Sequence, residues 1–167
     1  MFRSRWASAI PVATLLLLFT SHGRACAQVD PAVTDLHVIV KGPAPHGFIN
    51  IEIVGTVKNI GKKAFVSSKG QQSIRLYASR SGHPPVPVLE KTFTTLKAGA
   101  SITINYPRTW ETEAKLLPDF ILQIDLDPDI YADGNPRNDD VDQSNNRRTL
   151  TAGAINRAIA DARKKTK

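Results

Sequence analysis

Apolar residues recur at every second position along much of the chain, and this alternation limits the fold more than any other feature of the sequence. Because successive side chains of a strand point to opposite faces, alternation predicts strands with one buried face and one wet face. The helical spacing that crossover helices would need is missing between these segments, so the strands are expected to pair antiparallel. The alternating segments are 36–40, 49–57, 74–78, 102–106 and 120–126, with 88–93 as a weaker candidate.

Clusters of glycine, proline and asparagine separate the alternating segments, at 42–47, 59–63, 81–85 and 97–99. Such residues favour tight turns, and each cluster is therefore expected to reverse the chain. Residues 108–117, between Pro107 and Pro118, leave room for one helical turn. A last strand is expected at 147–150. About seven short strands joined by turns predict an all-β fold, a single immunoglobulin-like antiparallel β-sandwich.

The carboxyl end has a different pattern. Residues 154–163 are rich in alanine, and Ile155, Ala158, Ile159 and Ala162 recur at helical spacing. Residues 151–167 are therefore expected to form either a short basic helix packed on the sandwich or a frayed basic tail.

The amino-terminal segment has the three parts of an export signal. Arg3 and Arg5 supply positive charge, residues 7–20 are apolar, and Ala25-Cys26-Ala27 offers small residues for cleavage. The apolar part is too short to span a membrane, which takes about 20 residues. Residues 1–27 are thus predicted to be a cleavable signal peptide, and the protein is predicted to be periplasmic or extracellular.

Two alternatives to a cleaved signal stay open. The segment could instead be a buried amino-terminal helix, although nothing downstream suits it as a partner. Cys26 could also be lipidated, but that signal needs small residues before the cysteine, and Arg24 interrupts them.

Residues 28–167 contain no cysteine and no Asn-x-Ser/Thr site. Without disulfides the hydrophobic core alone has to stabilise the domain, and a chain of this length can bury enough surface to do so. This combination favours a bacterial envelope over a eukaryotic secretory route. The same residues include 19 basic and 15 acidic side chains, and the net charge of +4 is too small to indicate nucleic-acid binding.

Seven aspartates between residues 125 and 142 make the strongest candidate site. Calcium binds about six to eight oxygens, which a flexible acidic loop can supply. The spacing Asp125-x-Asp127-x-Asp129 is like the start of a calcium loop. Ile130 and Pro136, however, stand where an EF-hand needs glycine and glutamate. The alternative is a solvated turn in which aspartate is only a turn former. The candidate calcium ligands are Asp125, Asp127, Asp129, Asp133, Asp139, Asp140 and Asp142.

The charges are divided unevenly along the chain. Residues 125–142 have a net charge of −6, whereas residues 147–167 have a net charge of +6. The basic end is expected to be either a solubilising tail or a contact for anionic lipid, cell-wall polymer or an acidic partner. Opposite charges could also join the acidic loop of one copy to the basic end of another, head to tail.

Residues 28–167 show no catalytic arrangement. The histidines are His37 in a predicted strand and His46 and His83 in predicted turns. There is no cysteine nucleophile, no Gly-x-Ser-x-Gly turn and no His-x-x-x-His pair. Aspartates in a wet loop lack the burial that raises the pKa of a catalytic acid, so a sugar hydrolase is only a distant alternative. The chain is predicted not to be an enzyme.

Several short motifs resemble those of one family. They are Asn59-Ile60-Gly61 after a strand, Leu96-Lys97-Ala98-Gly99-Ala100-Ser101, the Asp127-Pro128 step, and the loop end Asp142-Gln143-Ser144-Asn145-Asn146. Over residues 34–150 the chain is similar to the CARDB family, immunoglobulin-like domains of bacterial and archaeal surface proteins. The resemblance implies a sandwich fold and a role in adhesion or extracellular assembly, and it implies no shared catalytic residues.

The sequence therefore predicts an exported, non-catalytic interaction or adhesion module of the bacterial cell envelope. The expected organisation is a signal peptide at 1–27, a CARDB-like sandwich at 28–150 and a basic helix or tail at 151–167. The expected partner is another envelope protein or a cell-surface polymer, not nucleic acid. The contrasting hypothesis is a calcium-dependent adhesive or assembly factor in which the metal orders residues 125–142.

Overall fold

The computed structural model describes residues 28–165. The predicted signal peptide and the last two residues of the predicted basic end lie outside the described residues. Within them, nine strands and one α-helix follow one another as β1 (Pro31–Pro43), β2 (Ile49–Asn59), β3 (Phe65–Val66), β4 (Gln72–Ser79), β5 (Val86–Thr92), β6 (Thr95–Leu96), β7 (Ser101–Trp110), β8 (Asp119–Leu126), β9 (Arg147–Leu150) and α1 (Ala152–Lys165).

Two antiparallel sheets form the body of the fold. One has three strands in the order β1-β2-β7, and the other has four in the order β5-β4-β8-β9. The chain crosses from one sheet to the other after β2, after β5 and after β7, as it does in immunoglobulin-like sandwiches. The predicted all-β antiparallel sandwich is therefore confirmed.

The structure has two strands more than the predicted seven. β3 and β6 pair as a two-residue ribbon in which Phe65 lies opposite Leu96, and both side chains are buried. A strand of two residues is too short to show an alternating pattern, which is why the sequence did not predict this ribbon.

The core lies between the two sheets and is built from the alternating apolar residues. Ile51, Ile53 and Val57 of β2 are almost fully buried, as are Leu76 of β4 and Leu122 of β8, and all belong to one cluster. Full burial of one such side chain contributes about 1.5–3 kcal/mol. A core of this kind can stabilise a domain that has no disulfide.

β7 continues past the predicted end of its strand. It includes Pro107 and reaches Trp110, and no helical turn follows in 111–117. Because β7 pairs only with β2, it is an edge strand, and an edge tolerates a proline that has no N–H to donate. The predicted helical turn at 108–117 is wrong, and Arg108 and Trp110 belong to the strand instead.

The helical alternative for the carboxyl end is confirmed over Ala152–Lys165. Ile155 and Ile159 lie one turn apart and are buried, and the helix packs against β1. The carboxylate of Asp119 accepts a 2.8 Å hydrogen bond from the N–H of Ala152, which satisfies a free donor at the start of the helix. No helix in the described part of the chain is long and apolar enough to cross a membrane.

Candidate ligand-binding cleft

The seven aspartates predicted as calcium ligands are spread over the end of β8 and the loop before β9. In residues 28–165, no three acidic, histidine or cysteine side chains come together in an arrangement that could hold a metal ion. Most of the aspartates accept hydrogen bonds from neighbouring protein groups. The carboxylates of Asp129 and Asp139 have no hydrogen-bond donor among the described residues.

Asp125 belongs to a polar network on the outer face of the four-stranded sheet. It accepts hydrogen bonds from the hydroxyl of Tyr77 at 2.7 Å and from the guanidinium of Arg75 at 3.3 Å. Arg75 also pairs with Glu90 at 3.0 Å, and this hydrogen bond raises the pKa of Arg75 and lowers that of Glu90. Asp125 is thus already paired with a cation on the outer face of the sheet.

Three other aspartates act as turn formers. Asp127 accepts from the N–H of Asp129 at 3.0 Å, and Asp142 accepts from the N–H of Ser144 at 3.0 Å. The third is Asp133, whose carboxylate takes hydrogen bonds from Asn138, Asn135 and Gln71, and these bonds lower its pKa. These contacts match the turn-forming alternative, because short aspartate side chains cap nearby backbone N–H groups.

Asp140 is the one aspartate of the loop that is buried, at 6% exposure. It accepts from the side-chain amide of Asn146 at 2.5 Å, and burial raises its pKa. Asn145 donates in the same way to Asp30 at 2.9 Å. Both asparagines therefore have a structural role, since each side-chain amide binds a carboxylate elsewhere in the chain.

The basic end of the chain lies on α1. Lys164 pairs with Asp161 at 3.3 Å, one turn away, and both side chains are largely exposed. Exposed pairs of this kind contribute only about 0.3–0.5 kcal/mol. The solubilising role and the proposed head-to-tail contact with the acidic loop both stay predictions.

A cleft that the sequence did not predict opens between the two sheets, along one side of the sandwich. It lies between β5, the edge of the four-stranded sheet, and β7, the edge of the three-stranded sheet. Its volume is about 430 Å³. The residues that line it are Ala78, Arg80, His83, Pro84, Val86, Val88, Tyr106 and Arg108.

Two arginines line this cleft, and Arg108 does so from a position where the alternating pattern calls for an apolar residue. Arg108 pairs with Ile51, which is buried in the core, so it follows Ile104 and Tyr106 on the core-facing side of β7. Arg80 lies just past the end of β4, two residues beyond Ala78, and is exposed where it lines the cleft. The guanidinium carbon of Arg108 lies 5.5 Å from the Trp110 ring and 5.3 Å from the Phe120 ring.

No carboxylate of the described residues lies within 4.0 Å of the side-chain nitrogens of Arg80, His83 or Arg108. Arg108 is partly buried, and burial lowers the pKa of its guanidinium, which the neighbouring charge of Arg80 lowers further. Arginine still keeps its proton in proteins, so the cleft is positively charged and lacks a counter-charge. A guanidinium that cannot lose its proton binds anions but does not act as a general base.

The cleft walls between these cations are apolar. Pro84, Val86 and Val88 lie on the β5 side, and Tyr106 lies on the β7 side, where its ring packs 6.1 Å from that of Phe120. An apolar cleft with a few converging polar groups is the usual form of a small-ligand site. The geometry can therefore hold an acidic group whose attached carbon skeleton lies against the walls.

No protein-family model, curated protein or solved structure matches this chain.

Proposed function

We propose that the protein is an exported, non-catalytic interaction module of the bacterial cell envelope that recognises an anionic group of its partner in the β5–β7 cleft. The signal-like residues 1–27 and the resemblance to CARDB domains support the location and the adhesive character. The observation that supports the site is Arg108, a partly buried cation with no acidic partner in the described chain.

Arg108 is partly buried and its Nε donates a 3.2 Å hydrogen bond to the backbone carbonyl of Thr109, but no carboxylate neutralises its charge. A partly buried charge without a counter-charge lowers stability, because water solvates it better than protein does. Contact with Trp110 and Phe120 recovers part of that loss, about 0.5–2 kcal/mol for a cation over an aromatic ring. A methionine at this position would pack against the same rings without any desolvation. The retained arginine is therefore better explained by a ligand than by folding, because strained or costly groups collect at binding sites.

The test compares wild type with Arg108→Met in the full protein as it is secreted. Glucuronate and inorganic phosphate are titrated separately, and binding is followed by chemical shifts of the arginine Nε–H groups. We expect at least one of the two anions to bind in the cleft, and Arg108→Met to weaken it about ten-fold or more, since a charged hydrogen bond contributes about 1.5–3 kcal/mol. Urea unfolding is expected to show that the variant is no less stable.

Arg157→Met, at an exposed position of α1, is the matched control and should bind like wild type. Equal binding by Arg108→Met and wild type would refute the cleft as the site. A large loss of stability in Arg108→Met would instead show that the arginine is kept for folding.

The calcium-dependent alternative has one observation in its favour. The side-chain oxygens of Asn138, Asn145 and Asn146 are buried and have no hydrogen-bond partner within residues 28–165. Unsatisfied buried oxygens are costly, and a cation is one way to satisfy them. The proposal is a calcium ion near the loop at 125–142 that orders it for adhesion or assembly.

A thermal melt with chelator and then with millimolar calcium tests this alternative. Calcium at 100 times its dissociation constant would stabilise the fold by about 2.7 kcal/mol. A shift that Asp140→Asn removes would support a site near the buried asparagines. A shift that only Asp125→Asn with Asp127→Asn removes would place calcium on the predicted Asp-x-Asp spacing, and no shift would leave the loop as a set of turns.

A further inference from the structure

The cations of the cleft continue along the same side of the sandwich. Lys91 of β5 pairs with Ile74, a fully buried residue of β4, so it too occupies a core-facing position at the open edge. Its ammonium donates a 3.3 Å hydrogen bond to the backbone carbonyl of Thr103 on β7, across the gap between the sheets. Glu90, the adjacent acid, faces the opposite way and pairs with Arg75.

Lys91 and Arg108 therefore mark two ends of one positively charged edge. Thr103, which Lys91 contacts, lies five residues before Arg108 on β7. At about 3.3 Å per residue of strand, the two cations lie roughly 16 Å apart along the edge. Arg80 adds positive charge at the Arg108 end, where His83 also lines the cleft. In the described chain none of these four side chains has a carboxylate within 4.0 Å.

A row of unpaired cations over this distance suits an extended polyanion better than a single small anion. One acidic group fills the Arg108 end, whereas only a chain with repeated acidic groups reaches Lys91 at the same time. Linked contacts gain affinity because the second binding step becomes intramolecular.

The two strands that border the edge argue against a peptide as the polyanion. A peptide that adds to a sheet edge relies on the unpaired N–H and C=O groups of the edge strand. Pro87 lies in β5 and Pro107 lies in β7, and each removes an N–H from its edge. The cleft at the Arg108 end instead offers Pro84, Val86 and the Tyr106 ring, which are flat apolar faces of the kind on which the C–H face of a sugar ring can pack.

We propose that the edge between β5 and β7, from Lys91 to Arg108 and Arg80, binds a linear polysaccharide that carries an acidic group on successive sugars. This inference rests on the proposed anion-binding function and names the class of ligand. The sugar rings lie against the apolar faces of the cleft, and their acidic groups pair with the row of cations. The partner is then a glycan of a cell surface or matrix.

The experiment measures calorimetric affinities of the full protein for galacturonic acid, an octamer of galacturonic acid, neutral malto-octaose and a poly-glutamate of eight residues. We expect the octamer to bind at least ten-fold more tightly per sugar than the monomer, and malto-octaose not to bind. Lys91→Met should weaken octamer binding about two- to five-fold, the usual effect of an exposed charge pair. Lys69→Met, in an exposed turn, should leave every affinity unchanged.

The outcomes distinguish the polysaccharide inference from the proposed anion-binding function on which it rests. Equal affinity per sugar for monomer and octamer would overturn the polysaccharide and leave the anion site intact. Poly-glutamate that binds as tightly as the octamer would also overturn it, in favour of an acidic peptide. Failure of glucuronate, phosphate and all four of these probes to bind would overturn both proposals.

Discussion

The indole Nε1 of Trp110 donates a 2.7 Å hydrogen bond to the side-chain oxygen of Asn156. Trp110 is the last residue of β7 and is 1% exposed, whereas Asn156 lies in the first half of α1. The amide nitrogen of Asn156 also donates to the carbonyl of Thr112, at 3.5 Å. One asparagine thus ties the helix to the end of the strand that carries Arg108.

Replacing Asn156 by leucine should lower the free energy of unfolding by about 1–3 kcal/mol, because the indole N–H would stay buried without an acceptor. Urea unfolding measures the loss. Arg157→Ala changes the adjacent, exposed residue and should alter stability by less than about 0.5 kcal/mol. A leucine variant as stable as the arginine control would show that the Trp110 hydrogen bond does not hold the helix in place.

Gly55 of β2 faces the side chain of Leu122 from the opposite sheet. A Cβ atom there would overlap the Cδ2 of Leu122 and lie 3.3 Å from Ile104. Gly55→Ala should therefore destabilise the fold by about 1–3 kcal/mol, as overpacking of a core does. Gly153→Ala is the matched control, because the nearest atom to its Cβ is 3.7 Å away and alanine favours a helix by about 1 kcal/mol. Chemical unfolding should give opposite signs for the two variants, and equal signs would contradict the packing argument.

Much of the sandwich could be predicted because most of its strands show the alternation of apolar and polar residues within their own sequence. Leu76 and Leu122 lie in segments whose alternation alone assigns them to a buried face, and both are fully buried. The ribbon of β3 and β6 could not be predicted, since two residues show no period. The end of β7 could not be predicted for another reason. A proline such as Pro107 predicts the end of a strand unless the strand lies at the edge of its sheet, and the sequence does not show that β7 is an edge strand.

The cleft was missed as a consequence of that shortened strand. The predicted strand ends at Tyr106, so the prediction placed Arg108 in a helical turn. The core-facing series Ile102, Ile104, Tyr106 nevertheless continues to Arg108 at its next position. Arg108 lies on the same side of the sandwich as Arg80 and Lys91 only because β5 and β7 become the edge strands, and the alternating pattern does not determine which strands are edges. The cluster of aspartates is evident from the sequence. Aspartate both forms turns and coordinates metal ions, however, and only the positions of the carboxylates in the structure distinguish these two roles.

Gly61 lies against the first described residues of the chain. The N–H of Ile60 donates to the carbonyl of Asp30 at 2.8 Å, and that of Lys62 donates to the carbonyl of Gln28 at 2.9 Å. A Cβ at Gly61 would overlap the carbonyl oxygen of Gln28 and lie 2.7 Å from the N–H nitrogen of Asp30. Backbone atoms cannot move aside as a flexible side chain can, so Gly61→Ala should detach residues 28–30.

Hydrogen exchange at Ile60 and Lys62 measures that detachment. Both amides should exchange at least ten-fold faster in Gly61→Ala, while amides of β4 and β8 stay protected, because local opening does not require global unfolding. Lys62→Ala leaves the backbone contacts in place and should exchange like wild type. Unchanged protection in Gly61→Ala would mean that the amino-terminal segment has room to shift without losing its hydrogen bonds.

Asp140 should make stability fall as the pH rises. Burial raises its pKa in the folded state above the value of about 3.9 expected in the unfolded chain. The folded state therefore binds this proton more tightly, and the stabilisation is complete below the unfolded pKa and is lost as the pH rises through the folded pKa. Asp140→Asn removes this effect, so the stability of the variant relative to wild type should increase as the pH rises from about 3.9 to about 7. Any change in the hydrogen bond to Asn146 adds an offset that is the same at every pH, and the slope is the test.

Asp133 provides the opposite case, because hydrogen bonds from Asn138 and Asn135 lower its pKa and its stabilisation is lost as the pH falls. Urea unfolding should give a rising relative slope for Asp140→Asn from a pH of about 3.9 to about 7 and a falling relative slope for Asp133→Asn near and below a pH of about 3.9. A flat or falling slope for Asp140→Asn would show that the carboxylate is solvated in the folded protein.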